Sequence, residues 1–166
     1  EKSPKGEGMI PGSTDNVRWV QKLGTFICGN PTVANGRVYV GTDDATLQGD
    51  KRLKRTKGGI IWCLDEKTGD TIWKLVVPSR PKDRLPKDAH YGQQNLGVCS
   101  APTVVGDRAY VVTSAAEIIC LDVNGQANGN DGEFKDEGKY IAGSGKSAVA
   151  LEKTDGDILW KYDLVD

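Results

Sequence analysis

An internal repeat is the feature that most constrains how this chain of 166 residues can fold. The segment LDEKTGDTIWKL, residues 64–75, aligns without gaps on LEKTDGDILWKY, residues 151–162, at a constant offset of 87 residues. In the same way CGNPTVANGRVYVGT, residues 28–42, aligns on CSAPTVVGDRAYVVT, residues 99–113, at an offset of 71. Ungapped self-similarity of this density is typical of a repeat architecture.

Two further matches extend the repeat. IIWCLD aligns on EIICLD at an offset of 57, and the partial copy TDNVRWVQKL overlays TGDTIWKLVV so that Trp19 falls on Trp73. Because the offset drops from 71 to 57, the first copy carries an insertion, which contains the basic run KRLKRTK at residues 51–57. We expect this run to be a solvated loop, as short basic runs usually are.

Each copy has the pattern of four short strands. PTV is followed by RVYVGT or RAYVVTS, then by GIIWCLD or EIICLD, and then by TIWKLVV or its equivalent. Asn-Gly and Thr-Gly-Asp turns separate these strands and supply residues that tolerate the positive φ of tight hairpins. Four-stranded units that cannot cover both of their faces stack as the blades of a β-propeller. A β-sandwich would explain the strand density but not the tandem copies.

Composition excludes several classes of protein. The formal net charge of −1 and the pI near 5.9 give no indication of a nucleic-acid partner. No window approaches the roughly 20 consecutive apolar residues of a membrane span. Residues 1–12, EKSPKGEGMIPG, lack the apolar stretch of a signal peptide.

Residues 64–73, LDEKTGDTIW, resemble the tryptophan-docking motif of the pyrroloquinoline-quinone (PQQ) repeat family of bacterial propeller proteins. In that family the tryptophan of each blade's last strand lies over a glycine-containing turn of the neighbouring blade. An indole suits this role because it buries a large flat area and has an N–H that needs an acceptor. The resemblance implies docking roles for Trp19, Trp73 and Trp160, with Gly69 and Gly156 as turn partners.

The resemblance covers most of the chain and predicts an all-β propeller fragment of about two four-stranded antiparallel blades plus a closing strand. Closed propellers need about 4–8 blades, so we expect other blades, or self-association, to complete the ring. The insertion in the second blade is rich in Gly, Asn and charged residues, and we expect a surface excursion without a core element. The predicted segments are an N-terminal polar segment at 1–13, propeller repeats at 14–166, a closing strand at 17–23, a blade at 31–77, and a blade at 102–165 with its insertion at 124–145.

The cysteines occupy equivalent repeat positions. Cys28 and Cys99 open the first strand of a blade, whereas Cys63 and Cys120 lie in the third strand. They are expected to be small buried hydrophobic residues. The alternative is a disulfide between Cys28 and Cys99 near the propeller axis, which requires an oxidising compartment.

Quinoprotein dehydrogenases of the family hold PQQ with calcium, a catalytic aspartate and a ring formed by two adjacent cysteines. The sequence has no adjacent cysteine pair, so no catalytic residue is assigned. His90 is the only histidine and is expected to be an ordinary loop residue.

The loop DVNGQANGNDGEF is a candidate calcium site, since it offers several hard oxygen ligands between glycines. It departs from the EF-hand pattern, because Ala127 stands where that pattern has glycine. The same residues also suit a plain structured loop. The candidate ligands are Asp122, Asn124, Asn128, Asn130 and Asp131.

Two functions are compatible with these features. The first is a non-catalytic binding or scaffolding platform, with other propeller blades or proteins as partners. The second is a portion of a PQQ-dependent quinoprotein dehydrogenase that oxidises an alcohol or sugar, with PQQ and calcium as cofactors. The family resemblance implies a periplasmic or secreted location in either case.

Overall fold

The described part of the chain forms two antiparallel sheets of four strands each, and consecutive strands are neighbours in each sheet. The computed structural model describes residues 15–84 and 96–165, so the predicted polar segment at 1–13 and His90 lie outside the described residues. The prediction of an all-β fragment with two four-stranded blades is confirmed. Blade 1 consists of β1 (Thr32–Ala34), β2 (Arg37–Asp43), β3 (Gly59–Asp65) and β4 (Thr71–Val77), and blade 2 of β5 (Thr103–Val105), β6 (Arg108–Val112), β7 (Glu117–Asp122) and β8 (Ile158–Asp163).

The first hairpin of each blade is closed by a two-residue turn. Asn35 and Gly36 both have positive φ, 52° and 74°, as the preferred two-residue hairpin turn requires. Gly106 occupies the corresponding turn of blade 2 with φ of 60°. The Asn-Gly and Gly-Asp pairs of the sequence therefore set the register of these hairpins.

The last two strands of both blades share one irregularity. In blade 1 the register shifts between Cys63 and Leu64, directly after the pair formed by Cys63 and Trp73. In blade 2 it shifts between Cys120 and Leu121, directly after the pair formed by Cys120 and Trp160. A β-bulge bends and twists its strand, so its recurrence gives both tryptophans the same position in their blades.

The third strands form the centre of the core. In β3 six consecutive residues are buried, and in β7 all but one residue is buried. Apolar residues on both faces of these strands are therefore covered, as the nearly continuous apolar sequences predict.

The predicted closing strand at 17–23 is wrong as a regular strand, because the structure has no strand there. A closing strand needs the third strand of its own blade to complete the hydrogen-bonded ladder. Among the described residues, both sheets are formed by β1 to β8 alone and no strand pairs with residues 17–23.

The insertion of blade 2 enters the core, contrary to the expectation of a surface excursion. It contains α1 (Glu137–Ala142), which packs against β4 of blade 1, and Ile141 on this helix is buried in the main core. The Phe134 amide also donates a hydrogen bond to the Leu159 carbonyl at 3.3 Å. A single apolar anchor such as Ile141 produces no apolar period, so the sequence pattern did not indicate it.

The basic run at 51–57 is not simply solvated, which corrects that expectation. Arg52 binds both carboxylate oxygens of Asp155 in blade 2, at 2.5 and 2.7 Å. Leu53, the apolar residue within the run, is buried. Bidentate arginine–carboxylate pairs are strong and directional, so this loop fastens blade 1 to blade 2.

Neither of the two described ranges contains a helix that is long and apolar enough to cross a bilayer.

Replacement of the apolar anchor in the insertion should destabilise the protein. We expect Ile141→Ala to lower the free energy of unfolding by about 2–4 kcal/mol, because a buried side chain leaves a cavity. Urea denaturation followed by circular dichroism measures this change. Val105→Ala is the matched control, since Val105 is 63% exposed, and it should change stability by less than about 0.5 kcal/mol. Equal stability of Ile141→Ala and wild type would contradict the anchoring role.

Candidate functional site

Trp73 lies at the interface between the two blades. Its indole Nε1 donates a hydrogen bond to the Val123 carbonyl at 2.7 Å, and the side chain is fully buried. The ring lies on two glycines of blade 2. A Cβ atom on Gly125 would lie 2.8 Å from the ring, and one on Gly156 would lie 3.4 Å from it and 2.8 Å from Leu75. Glycine at these positions therefore allows the ring to approach the backbone.

Trp19 makes the same kind of contact with blade 1. Its Nε1 donates to the Glu66 carbonyl at 2.9 Å, and a Cβ on Gly69 would lie 2.5 Å from the ring. Gly69 also has φ of 78°, which disfavours a side chain there. Glu66 and Val123 align at the offset of 57 residues, so both indoles use equivalent carbonyls. Gly125, the glycine that sequence reasoning missed, lies in the Asn-Gly pair that follows Val123.

Trp160 is placed differently, because it is not buried among the described residues and its docking on another blade stays a prediction. Its side chain is 38% exposed, and its ring contacts Tyr110 at 6.1 Å between centroids. No later blade lies among the described residues to receive it. The three predicted tryptophans thus include two that lie on a neighbouring turn and one on an open face.

Polar contacts reinforce the docking of blade 1 on blade 2. Arg37 donates hydrogen bonds to the Val123 carbonyl and to Asn124 Oδ1, the latter at 2.9 Å. The backbone of Lys74 pairs with blade 2 as well, accepting from the Gly156 amide and donating to the Thr154 carbonyl, both at 2.9 Å. The interface therefore combines an apolar ring contact with directional hydrogen bonds.

Directly behind this interface lies a cluster of carboxylates. Asp122 ends β7, Asp157 precedes β8, and Asp131 belongs to the insertion. Each offers an oxygen, and these three oxygens all lie within 4.8 Å of one another. Asp122 and Asp157 are buried, whereas Asp131 is exposed. Such a set of hard oxygen ligands is suited to a divalent cation.

Amide groups from the insertion hold these carboxylates in place. Asn128 Nδ2 donates to Asp122 at 3.4 Å and to Asp131 at 3.1 Å. Asp157 accepts bonds from Gln126 Nε2 at 3.2 Å and from the Asp131 amide at 2.9 Å. Groups of the insertion thus orient carboxylate oxygens both inside the insertion and on Asp157, which lies before β8.

The structure brings together only part of the predicted ligand set. Asp122 and Asp131 lie in the cluster, and Asn128 bridges them through its nitrogen. Asn130 donates through Nδ2 to Glu137 Oε2 at 2.7 Å, whereas the Asn124 oxygen is occupied by Arg37.

Sequence reasoning missed Asp157 and Glu137. Asp157 aligns with Asp70 of the first copy, and this match assigned it to the repeated turn rather than to a site. Glu137 lies in α1, 15 residues beyond Asp122, and its distance from the carboxylate cluster depends on the path of the insertion. The close spacing of acidic residues along the insertion was an available signal for Glu137, whereas Asp157 lies outside the insertion.

The carboxylate cluster shifts the protonation of Asp157. Burial raises the pKa of this carboxyl from its ordinary value of 3.8 to about 6, and the negative charges of Glu137, Asp122 and Asp131 act in the same direction. The hydrogen bond from the Asp131 amide opposes them. The carboxyl of Asp157 is therefore ionised only above about pH 6.

The cysteines fall into two environments. Cys63 and Cys120 are buried free thiols, as expected for small hydrophobic residues, and burial raises the pKa of Cys63 to about 12. Cys28 and Cys99 are exposed free thiols, so the expectation of burial is wrong for this pair. Burial of part of Cys99 and its contact with the Cys28 thiol raise the pKa of Cys99, which shows that the two side chains are neighbours.

Comparison with known protein families gives one match, which occurs twice along the chain. Residues 9–82 and residues 53–166 each match the model of a family described as outer membrane protein assembly factor BamB. Overlapping double matches are what tandem copies of one repeat produce. A search of curated proteins found no match.

Removal of the docked indole should destabilise the blade interface. Trp73→Ala is expected to lower the free energy of unfolding by about 3–5 kcal/mol, since a fully buried aromatic side chain is lost. Trp160→Ala removes the equivalent residue from an open face and should cost clearly less, because the loss follows the buried area. Thermal and urea unfolding of the two variants provide the comparison. A Trp160→Ala loss as large as that of Trp73→Ala would contradict the docking assignment.

The metal-free protein should lose stability as the pH rises from about 4 to about 6. Because the pKa of Asp157 is about 6 in the folded state and 3.8 ordinarily, the folded state binds more protons in this window. The free energy of unfolding therefore falls as pH rises and levels off above pH 6. Urea denaturation in EDTA at several pH values measures the slope. Asp157→Asn removes the titrating group and should flatten it, so an unchanged slope in this variant would assign the effect to another residue.

Proposed function

Because the chain belongs to the PQQ-like repeat family described as outer membrane protein assembly factor BamB, we propose that it is a non-catalytic binding or scaffolding platform within a longer propeller. Function in such folds resides in the surfaces and sites that individual blades present. The surface that matters here is the outer face of blade 2.

One observation carries the proposal, namely that this face is open in blade 2 and closed in blade 1. The alternating residues of β4 that point towards blade 2 are each 0% exposed. Their equivalents at the offset of 87 residues, two on β8 and one directly after it, are 38%, 61% and 50% exposed. The closed set is Trp73, Leu75 and Val77, and the open set is Trp160, Tyr162 and Leu164.

The occupant that fits the open face is a further blade of the same repeat type. Both docked indoles in this chain bind a backbone carbonyl at one repeat position, supplied by Glu66 or Val123, and lie on a glycine. A following blade with the same turn would receive Trp160 in the same way. The repeat thus supplies both halves of its own interface.

The free energy gained by burying apolar surface favours a covered outer face on blade 2. Burial of apolar surface contributes roughly 25 cal/mol per Å², so covering two aromatic side chains and a leucine would contribute on the order of several kcal/mol. A domain's whole stability is only about 5–15 kcal/mol. An uncovered face of this kind is therefore expected to bind protein.

Family membership also supports a periplasmic or secreted location. The description of the family names an outer-membrane assembly factor, and a platform for envelope proteins would work in that compartment. Partner proteins in the envelope are accordingly proposed beside the neighbouring blades.

Without a following blade, this chain should associate with itself through the open face. We expect sedimentation velocity at micromolar concentration to show species larger than the monomer. The double substitution Trp160→Ser with Tyr162→Ser should shift the distribution to monomer, because it removes apolar surface from the face. Val105→Ser is the matched control, since Val105 is exposed on β5 instead, and it should leave association unchanged.

Two outcomes would overturn the proposal. A monodisperse monomer at all concentrations would show that the open face needs no cover. Titration with PQQ and calcium separates the platform from a dehydrogenase, and the platform is expected to bind no quinone. A bound quinone spectrum together with alcohol- or sugar-dependent dye reduction would establish the dehydrogenase instead.

A further inference from the structure

We propose that blade 2 contains a calcium-binding site formed by the carboxylates of Asp122, Asp131 and Asp157, with Glu137 as a fourth carboxylate beside them. The site combines two of the sequence-predicted ligands with Asp157, which the fold brings to them, and Glu137 is linked to the same loop through Asn130, the neighbour of Asp131. It is independent of the platform function and of any quinone.

The spacing of the carboxylate oxygens fits one bound ion. Calcium–oxygen distances are about 2.3–2.6 Å, so two oxygens on the same ion are separated by at most roughly 5 Å. The three oxygens of Asp122, Asp131 and Asp157 all lie within 4.8 Å of one another. This upper limit is compatible with a single ion contacting all three after small side-chain adjustments, while water and neighbouring carbonyls complete a coordination shell of 6–8 oxygens.

A second observation, separate from the acidic cluster, also indicates a cation. Glu137 is completely buried, and its Oε1 has no hydrogen-bond partner among the described residues. The other oxygen of this carboxylate accepts a bond from Asn130, the neighbour of Asp131, at 2.7 Å. Burial of a carboxylate oxygen without a donor is costly, and a nearby divalent cation would offset that cost.

The charges around the cluster lead to the same conclusion. Lys135 lies in the same insertion, and its Nζ binds the Asn130 backbone and side-chain oxygens at 2.5 and 3.2 Å rather than a carboxylate of the cluster. The carboxylates that accept salt bridges elsewhere are different ones, as with Asp155 and Asp163. A divalent ion would reduce the repulsion among four buried or adjacent negative charges.

Calcium at this point would brace the turn on which blade 1 docks. Asp122 directly precedes Val123, whose carbonyl accepts the Trp73 hydrogen bond. Asp157 directly follows Gly156, which lies against the Trp73 ring. An ion between Asp122 and Asp157 would hold both sides of the docking turn and the start of the insertion together.

Calorimetric titration of the full 166-residue chain with calcium chloride, after removal of metals with EDTA, tests the proposal. We expect one ion per chain, an increase in melting temperature with calcium, and weaker or no binding of magnesium at the same concentration. Terbium luminescence excited through tryptophan should appear as well, since Trp73 lies on the docking turn. Absence of binding at millimolar calcium, or magnesium binding that is as tight, would overturn the calcium assignment.

Substitutions assign the site to its ligands. Asp157→Asn and Asp131→Asn should each weaken calcium binding by at least about ten-fold, as loss of metal-site groups typically does. Asp131 is exposed, so its variant keeps the test valid even if the buried Asp157→Asn fails to fold. Asp136→Asn is the matched control, because Asp136 is an exposed carboxylate of the same insertion whose side chain caps no helix. Wild-type affinity in Asp131→Asn, or an equal loss in Asp136→Asn, would overturn the proposed ligand set.

Discussion

A four-stranded blade of this size has two faces and cannot cover both, so each blade depends on its neighbour for burial. In this protein the dependence is concentrated at Trp73, whose ring fills the space between the sheets and whose N–H finds its acceptor in the next blade. The same geometry recurs with Trp19 one repeat earlier. The hydrogen bond depends on close packing, because the indole can reach the Val123 carbonyl only where glycine leaves room for the ring.

Loops that lie outside the repeat serve this interface as well. The insertion of blade 1 sends Arg52 across to the buried Asp155, and the insertion of blade 2 returns α1 to β4. Both insertions therefore strengthen the interface between blade 1 and blade 2. The carboxylate cluster around Asp157 includes Asp122, which directly precedes the Val123 carbonyl that accepts the Trp73 hydrogen bond. The charge of the cluster and the packing of Trp73 therefore act on the same short segment of backbone.

Residues within the repeat were predictable because local patterns determine them. The alternating and continuous apolar strands, the Asn-Gly turn and the equivalent cysteines of the third strands all follow from periodicity and turn chemistry. The predictions that were wrong concern residues whose burial or binding partner depends on distant parts of the chain. Ile141 is buried only because α1 meets blade 1, and Cys28 and Cys99 are exposed because they precede β1 and β5 and lie outside the sheets. Asn124 turned out to bind Arg37 rather than join the carboxylates, since another blade supplies the stronger partner.

The sequence by itself determined the repeat, the strand pattern, the fold class and the residues able to dock, because these depend on spacing along one chain. The tertiary structure alone decided which tryptophan is covered and which carboxylates meet. Trp73 and Trp160 occupy the same place in the repeat, yet one is buried and the other is 38% exposed, because burial depends on what packs against a face. Asp122 and Asp157 are far apart in the chain and become neighbours because β7 and β8 pair antiparallel, which brings the end of one strand beside the start of the next.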